Sequence, residues 1–438
     1  MSRRRAAKPR EPVEVFITDL SHEGRGVGRV DGKTIFVHGA LPDETVLAKV
    51  LKRRGRFDEA EVVNVLKPSP RRVAPRCPHF GTCGGCSLQH MSEADQLAHK
   101  QAVLLELLEH QAKVVPDSVA PPVRSPQWGY RRKARLGVKY VEKKGGVIVG
   151  FRERAKPYVT DCHQCDVLDP RVGELIEPLR ACIQGLSISH RIPQIEIAAT
   201  EDVVALVFRH LEPLSPNDQG KLSDFASKHG VDIYLQSGGL DTVVALDDVR
   251  TLKYRIDEVS MQFRPFDFTQ VNHEVNQQMV SRALNYLAPQ PTDRVADLFC
   301  GIGNFSLPLA RRVADVTGIE GDTGLIERAH ANAQANGLHN ARFLVADLSD
   351  TAVVAELPLA KVNKMLLDPP RAGAAVLLET ASFAGVESFV YVSCNPVTLA
   401  RDCATICERH GFALIEVGIL DMFPHTAHVE SMAFFQRR

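Results

Sequence analysis

Asp297-Leu298-Phe299-Cys300-Gly301-Ile302-Gly303-Asn304-Phe305 marks the point where a short apolar run gives way to a helical pattern, and that junction decides the fold of the second half of the chain. Upstream lies a strand pattern at 294–298, preceded by a helical one at 272–287; downstream, 306–314 reads as a helix. The alternation continues through strand 316–319, helix 325–336, strands 342–345 and 364–367, helix 374–384, strand 389–393 and helix 397–410. Strands alternating with helices predict a doubly wound, mostly parallel sheet, a Rossmann-like α/β domain. The last two apolar runs, 413–420 and 429–436, are expected to close it as an antiparallel pair.

Glycines at a strand-to-helix turn let the backbone bend tightly and let a ligand approach the main chain. Glu320 ends the next strand, where an acidic side chain can accept hydrogen bonds from two ribose hydroxyls. Asp347 ends the third strand, where it can meet an adenine amino group. A nicotinamide fingerprint needs a third glycine, and Phe305 and Ser306 stand in its place. The pattern predicts a site for S-adenosylmethionine rather than for a dinucleotide.

Cys394, in Ser393-Cys394-Asn395-Pro396, follows the apolar run at 389–392 in this same half of the chain. Methyl transfer to nitrogen or oxygen needs no enzyme thiol. Carbon 5 of a pyrimidine does, because it becomes nucleophilic only after a thiolate adds to carbon 6. A buried structural cysteine is the commoner use of a strand end, so the neighbouring motifs must decide. The fourth strand ends in Asp368-Pro369-Pro370-Arg371, whereas methyltransferases of exocyclic amines place an aromatic after the two prolines. Asp368 is left to position donor or base. Carbon methylation also needs a general base for the C5 proton. Glu430, in His425-Thr426-Ala427-His428-Val429-Glu430, is the expected one, with His425 or His428 as the alternative.

A chain of 438 residues is too long for one core, and its length predicts two to four domains. No run of about eighteen apolar residues exists to span a membrane, and the basic first ten residues lack an apolar signal core. A cytoplasmic protein is expected, in which ten cysteines point to metal or catalytic use rather than disulfides. Zero net charge hides an asymmetry: residues 1–76 carry +7 and residues 124–156 carry +9, leaving −16 for the rest. With Trp128, Tyr130 and Tyr140 among the charges, the basic segments fit a nucleic-acid footprint.

The organisation follows. Residues 1–11 read as a basic, disordered tail. Residues 12–72 hold five short strands (13–17, 26–30, 34–37, 45–52 and 57–66) between glycine and proline turns, the pattern of a small OB-like barrel. Residues 73–262 form an α+β middle domain, with a helix from Ser92, a hairpin joining 133–140 to 147–152, and a helix near 222–228; the helix at 92–113 is expected to pack on the catalytic domain. Residues 263–438 are the α/β domain. Cys77, Cys83 and Cys86 lie within ten residues, with Cys162 and Cys165 further on. An iron–sulfur cluster and zinc are both compatible with such thiolates.

Ser21-His22-Glu23-Gly24-Arg25-Gly26-Val27-Gly28 with Gly39-Ala40-Leu41-Pro42 resembles the TRAM domain, an RNA-binding barrel. Phe268-Thr269-Gln270-Val271-Asn272, the 297–305 turn, Asp368 to Arg371, Ser393 to Pro396 and His425-Thr426-x-His428-x-Glu430 occur in the order seen in RNA uracil-C5 methyltransferases. Cytosine-C5 enzymes differ in placing a cysteine after the fourth strand. The resemblance covers nearly the whole chain. It implies S-adenosylmethionine contacts at Gln270, Phe299, Asn304, Glu320, Asp347 and Asp368, with Cys394 as nucleophile and Glu430 as base. It also implies a [4Fe–4S] cluster on Cys77, Cys83, Cys86 and Cys165, Cys162 being an alternative fourth ligand. It further implies a monomer acting on 23S ribosomal RNA. A transfer-RNA enzyme and a non-catalytic iron–sulfur RNA-binding factor are the competing functions.

Overall fold

The computed structural model describes residues 11–437, so all but the last residue of the expected basic tail lies outside the described residues. Two compact units emerge, one running to Val103 with His425–His428, the other Leu104–Pro424 with Val429–Arg438.

The first unit opens with β1 Val13–Leu20, β2 Gly26–Val30, β3 Lys33–His38, β4 Thr45–Arg53 and β5 Phe57–Lys67. They close into a barrel of order β1-β2-β3-β5-β4; β2 has the expected bounds, and the other four expected strands are lengthened by tertiary pairing. Alternate residues point inward, and Val15, Ile17, Ile35, Val37, Val46, Ala48 and Ala60 fill the interior. Gly28 is required at the β1–β2 crossing, because a Cβ there would meet Val15 Cγ1 at 2.5 Å and Phe16 O at 2.6 Å. The exit segment is tied back through fully buried Glu44, which accepts from Leu41 N–H (2.8 Å), Ser69 N–H (3.2 Å) and Arg72 Nη2 (2.7 Å). These partners outweigh burial and hold the Glu44 carboxyl below its ordinary range. Beyond the barrel, His425 O accepts from Ser87 and Leu88 N–H at 2.9 Å each, and α1 Glu93–Leu107 begins under the expected Ser92 and Asp95 cap.

The second unit contains a six-stranded sheet, an eight-stranded sheet and a two-stranded hairpin. After β6 Ser118–Val119, the middle of the chain supplies β7 Lys133–Val141, β8 Gly146–Gly150, β9 Gln194–Ala199, β10 Val204–Arg209, β11 Asp232–Gln236 and β12 Val243–Ala245, in the order β12-β11-β10-β9-β7-β8. Helices α2 Pro170–Gly173, α3 Ile176–Gln184 and α4 Pro216–His229 accompany it. Leu179 and Ile183 of α3, with Leu222 and Phe225 of α4, pack on Leu136, Ile195, Leu206 and Ile233 of one sheet face.

A hairpin, β13 Lys253–Ile256 and β14 Val259–Gln262, leads to the α/β region: α5 His273–Leu287, β15 Arg294–Leu298, α6 Ser306–Ala310, β16 Asp315–Glu320, α7 Thr323–Ala335, β17 Ala341–Val345, α8 Thr351–Ala355, β18 Lys364–Leu367, α9 Ala375–Thr380, β19 Ser388–Ser393, α10 Pro396–His410, β20 Phe412–Leu420 and β21 Glu430–Arg437. The sheet order is β17-β16-β15-β18-β19-β21-β20-β6. The first five are mutually parallel; β20 and β21 form the expected antiparallel pair, and β21 also runs antiparallel to β19. Helix α6 stops four residues before the expected end: Asn340 Nδ2 takes Ala310 O (2.8 Å) and Val313 O (2.9 Å), which turns the chain toward β16. No helix among the described residues is long and apolar enough to cross a membrane.

Candidate active site

The turn after β15 is built from unusual backbone. Phe299, Gly301 and Gly303 take φ of 66°, 54° and 92°, three left-handed residues in five. A bulky residue rarely adopts such an angle. Phe299 holds it because its N–H and that of Cys300 both donate to Ile319 O, at 2.8 and 3.1 Å. Nothing lies within 4 Å of where a Gly301 Cβ would be, so the main chain is open to a ligand there; a Gly303 Cβ would meet Leu307 Cγ at 3.0 Å.

Glu320 reaches this turn from the end of β16 and is fixed by main-chain donors: Gly301 N–H (3.3 Å), Gly321 N–H (2.7 Å) and Asp322 N–H (3.1 Å). Asn304 exchanges two amide bonds with buried Asn276, at 2.9 and 3.0 Å, and accepts from Tyr254 Oη at 3.1 Å. Asp297 is fully buried; Oδ2 accepts from Ser306 Oγ at 2.5 Å while Oδ1 has no partner. Burial outweighs that bond and, with the nearby charge of Glu320, pushes the Asp297 carboxyl up to about 7. An unpartnered buried carboxylate oxygen and an open left-handed glycine turn fit a polar, cationic ligand such as the methionine end of S-adenosylmethionine. Asp347 lies exposed just beyond β17, bound to Ser349 Oγ at 2.6 Å, which keeps its carboxyl below the usual range. Gln270 is half-buried in the segment before α5, which is anchored by Arg132 N–H donating to Val271 O at 2.8 Å.

The acceptor corner lies at the carboxyl end of the same sheet. Ser393 of β19 pairs with Ser431 of β21, so the next positions along that antiparallel register are Cys394 and Glu430. Paired residues in such a ladder have Cβ atoms roughly 5 Å apart, and Cys394 and Glu430 immediately follow the last pair. The thiol responds accordingly: burial pushes Cys394 up to about 11, Glu430 and Asp368 add to the shift, and the Arg371 guanidinium opposes it. Asp368 is itself driven well above the carboxylate range by burial, then by the charges of Glu430, Asp297 and Glu320. The residues expected to hold the donor and to act on the acceptor thus share one electrostatic neighbourhood. Cys394 is held at the entry to α10, where Asn395 caps the helix by accepting from Val397 N–H (3.1 Å) and donates to Arg371 O (3.0 Å).

Of the expected site residues, Asp368, Cys394 and Glu430 come together, with Glu320, Phe299 and Asn304 around the donor turn. Asp347 and Gln270 sit on segments of their own. The sequence pattern did not single out Asn276, Tyr254 or Ser306, which orient Asn304 and Asp297; their spacing to the turn carries no motif. Cys77, Cys83 and Cys86 share one loop, in which Gly85 N–H donates to Cys83 Sγ at 3.4 Å. Among the described residues no cysteine forms a disulfide. Among the described residues no group of three or more His, Cys, Asp or Glu side chains is assembled that could hold a metal ion.

Comparison with known proteins follows the same division. Residues 92–438 match the family model for tRNA (Uracil-5-)-methyltransferase, and residues 6–63 match the TRAM domain. A protein of Alkalilimnicola ehrlichii named 23S rRNA (uracil(1939)-C(5))-methyltransferase RlmD is 52% identical, covering 100% of this chain and 99% of its own. Its namesake in Xanthomonas oryzae pv. oryzae is 49% identical over the full length of both. The solved tRNA (uracil-54, C5)-methyltransferase of Pyrococcus abyssi, in complex with S-adenosyl-L-homocysteine, has a TM-score of 0.75 at 25% identity, over 96% of this chain and 99% of that one. The N-terminal barrel is therefore a TRAM domain and the α/β sheet a methyltransferase fold that uses S-adenosylmethionine, and the chain belongs to the uracil-C5 RNA methyltransferases.

Proposed function

We propose that this enzyme methylates C5 of a uridine in 23S ribosomal RNA through a transient bond between Cys394 and C6 of the base. The observation that carries the chemistry is the β19–β21 register, with Glu430 next in line opposite Cys394. The substrate reading rests on the full-length relatives named for 23S rRNA at 52% and 49% identity, against 25% for the transfer-RNA enzyme.

Burial favours the thiol form of Cys394, so it releases its proton to water as Sγ adds to C6, and the C5–C6 double bond becomes an enolate nucleophilic at C5. Bound S-adenosylmethionine supplies the electrophilic methyl group that C5 takes. Glu430 then accepts the C5 proton, the C6–S bond breaks and the double bond is restored. Asp297, Phe299, Asn304, Glu320, Asp347, Asp368 and Gln270 are the residues that would hold the donor. The uridine must leave its stack to reach Cys394. Cys77, Cys83, Cys86 and Cys165 would carry a [4Fe–4S] cluster that supports folding and RNA contact. The reading is supported by their spacing and by the N–H donated to Cys83 sulfur; zinc is the alternative, and iron and sulfide analysis of protein purified without oxygen separates the two.

Cys394→Ala is expected to abolish methyl incorporation into ribosomal RNA, a loss of about 10⁴-fold or more. It should also remove the covalent adduct with 5-fluorouridine-substituted RNA. An adduct that survives the substitution would end the assignment. Failure of the unaltered protein to bind S-adenosylmethionine and methylate RNA would point instead to a non-catalytic RNA-binding factor.

A further inference from the structure

The segment Arg371–Ala374 crosses the first two turns of α10, and four side chains of that helix and its cap hold it. Asn395 Nδ2 donates to Arg371 O at 3.0 Å, and the Thr398 hydroxyl lies between Arg371 O and Asn395 O, at 3.3 and 3.0 Å. Arg401 Nη2 donates to Ala372 O at 2.8 Å, and Asp402 Oδ2 accepts from Ala374 N–H at 2.8 Å. Asp402 is buried, and the same oxygen receives the Tyr391 hydroxyl at 2.6 Å while its other oxygen receives Arg401 Nε at 2.8 Å. Gly373, at φ 78°, lies so close that a Cβ would sit 2.4 Å from Arg401 Nη2 and 2.5 Å from Asp402 Oδ2.

Burying a carboxylate to dock a short loop is costly, and an apolar contact would give comparable adhesion. What a polar clamp adds is one fixed geometry. The clamped segment begins at Arg371, whose main-chain oxygen is held at 3.0 Å by Asn395, the residue after Cys394, and whose cation opposes the effect of Glu430 and Asp368 on that thiol. Neither Arg401 nor Asp402 has a part in the chemical steps above.

We propose that Arg401 and Asp402 are positioning residues of the methyl-transfer site, holding the Arg371–Ala374 segment on α10 so that the Arg371 guanidinium stays beside Cys394. The inference rests on Cys394 being the nucleophile. If the segment loosens, the carboxylates remain and the cation recedes, so the thiolate becomes rarer, by tenfold for each unit the thiol rises.

The test uses the full-length protein and follows iodoacetamide alkylation of the Cys394 peptide by mass spectrometry across pH 7–10, beside methyl-transfer kinetics. Arg401 is half exposed, so Arg401→Ala should fold even if Asp402→Asn does not. Both variants are expected to move the alkylation profile to higher pH, slowing the reaction near pH 8 by about three- to tenfold. They should lower kcat by a similar factor, with KM for RNA and the Kd for S-adenosylmethionine within about twofold. Arg371→Gln should move the profile at least as far, and Arg401→Ala added to it should shift nothing more. An alkylation profile unmoved in Arg401→Ala, with only the melting temperature lowered, overturns the inference and makes the clamp packing alone. So does a double variant in which the two shifts add. Should Cys394→Ala still form the adduct, it is the nucleophile assignment that has failed, whatever the clamp variants do.

Discussion

The donor turn and the acceptor corner lie in the same sheet and are made in opposite ways. The donor turn is nine consecutive residues, shaped by left-handed backbone at Phe299, Gly301 and Gly303, with Glu320 fixed beside it by the main-chain N–H groups of Gly301, Gly321 and Asp322. The acceptor corner is assembled from three separate strand ends, Asp368, Cys394 and Glu430, and works through side-chain charge. Strand direction explains how Glu430 arrives. Parallel strands deliver their last residues to the ligand-binding edge of such a sheet. A strand inserted antiparallel beside them delivers its first residue to that edge, and Glu430 is the first residue of β21. Backbone-built sites should tolerate changes of side-chain charge but not an added Cβ; side-chain-built sites should show the reverse.

Glu430→Gln is the strongest way to break this contrast. Turnover should fall by about 10²–10⁴-fold, the range of a lost general base, while the structure and S-adenosylmethionine affinity stay intact. Enzyme–RNA adducts should accumulate on a denaturing gel, because C5 keeps its proton and the C6–S bond cannot break. Rapid turnover in this variant would move the base elsewhere, with His425 and His428 the first to substitute.

Most of the catalytic fold was legible because buried parallel strands are short apolar runs with little choice of register: 294–298 and 364–367 were read to the residue as β15 and β18. Elements that depend on distant partners were not. β6 is two exposed residues that become a strand by pairing with Glu416 and Val417. Helix α4 runs Pro216–His229 rather than 222–228; its Ser215 and Asp218 capping box, with Pro216 at the first turn, was the available signal. For the site, the motifs marked the residues proposed to react and the glycine turn after β15. The residues that orient them, Asn276 on Asn304 and Asp402 on the Arg371–Ala374 segment, belong to no local pattern and appear only when helices α5 and α10 are docked.

Asp297 joins the two regions, being a side-chain charge inside the donor turn. Its carboxyl sits at about 7 in the fold against an ordinary value of 3.8. Between those values the folded protein holds a proton that the unfolded chain has released. The contribution is therefore fully present below the ordinary value and is lost as pH rises to about 7, by about 2–4 kcal/mol. Urea unfolding of the ligand-free protein at pH 5 and 7.5 should show a smaller pH dependence in Asp297→Asn. Asp368 supplies a remaining slope of the same sign. Equal slopes in the two proteins would mean that Asp297 is ionised throughout. Gly303→Ala comes next, adding a Cβ at φ 92° and 3.0 Å from Leu307 Cγ. A loss of about 1–3 kcal/mol in stability is expected, with weaker S-adenosylmethionine binding by calorimetry, although no charge has changed.

The smallest effect should come at Asp347, the most exposed of the expected donor contacts, whose carboxylate already has Ser349 as a partner. Solvent can replace much of what Asp347 offers a ligand, so its hydrogen bond to an adenine amino group contributes little net free energy. Asp347→Ala should raise the Kd for S-adenosylmethionine by about three- to tenfold and leave kcat at saturating donor unchanged, because nothing at Cys394 or Glu430 moves. A loss of kcat in this variant would mean that the adenine end and the acceptor corner are mechanically coupled. The division between a backbone-built donor turn and a charge-built acceptor corner would then not hold at the third strand.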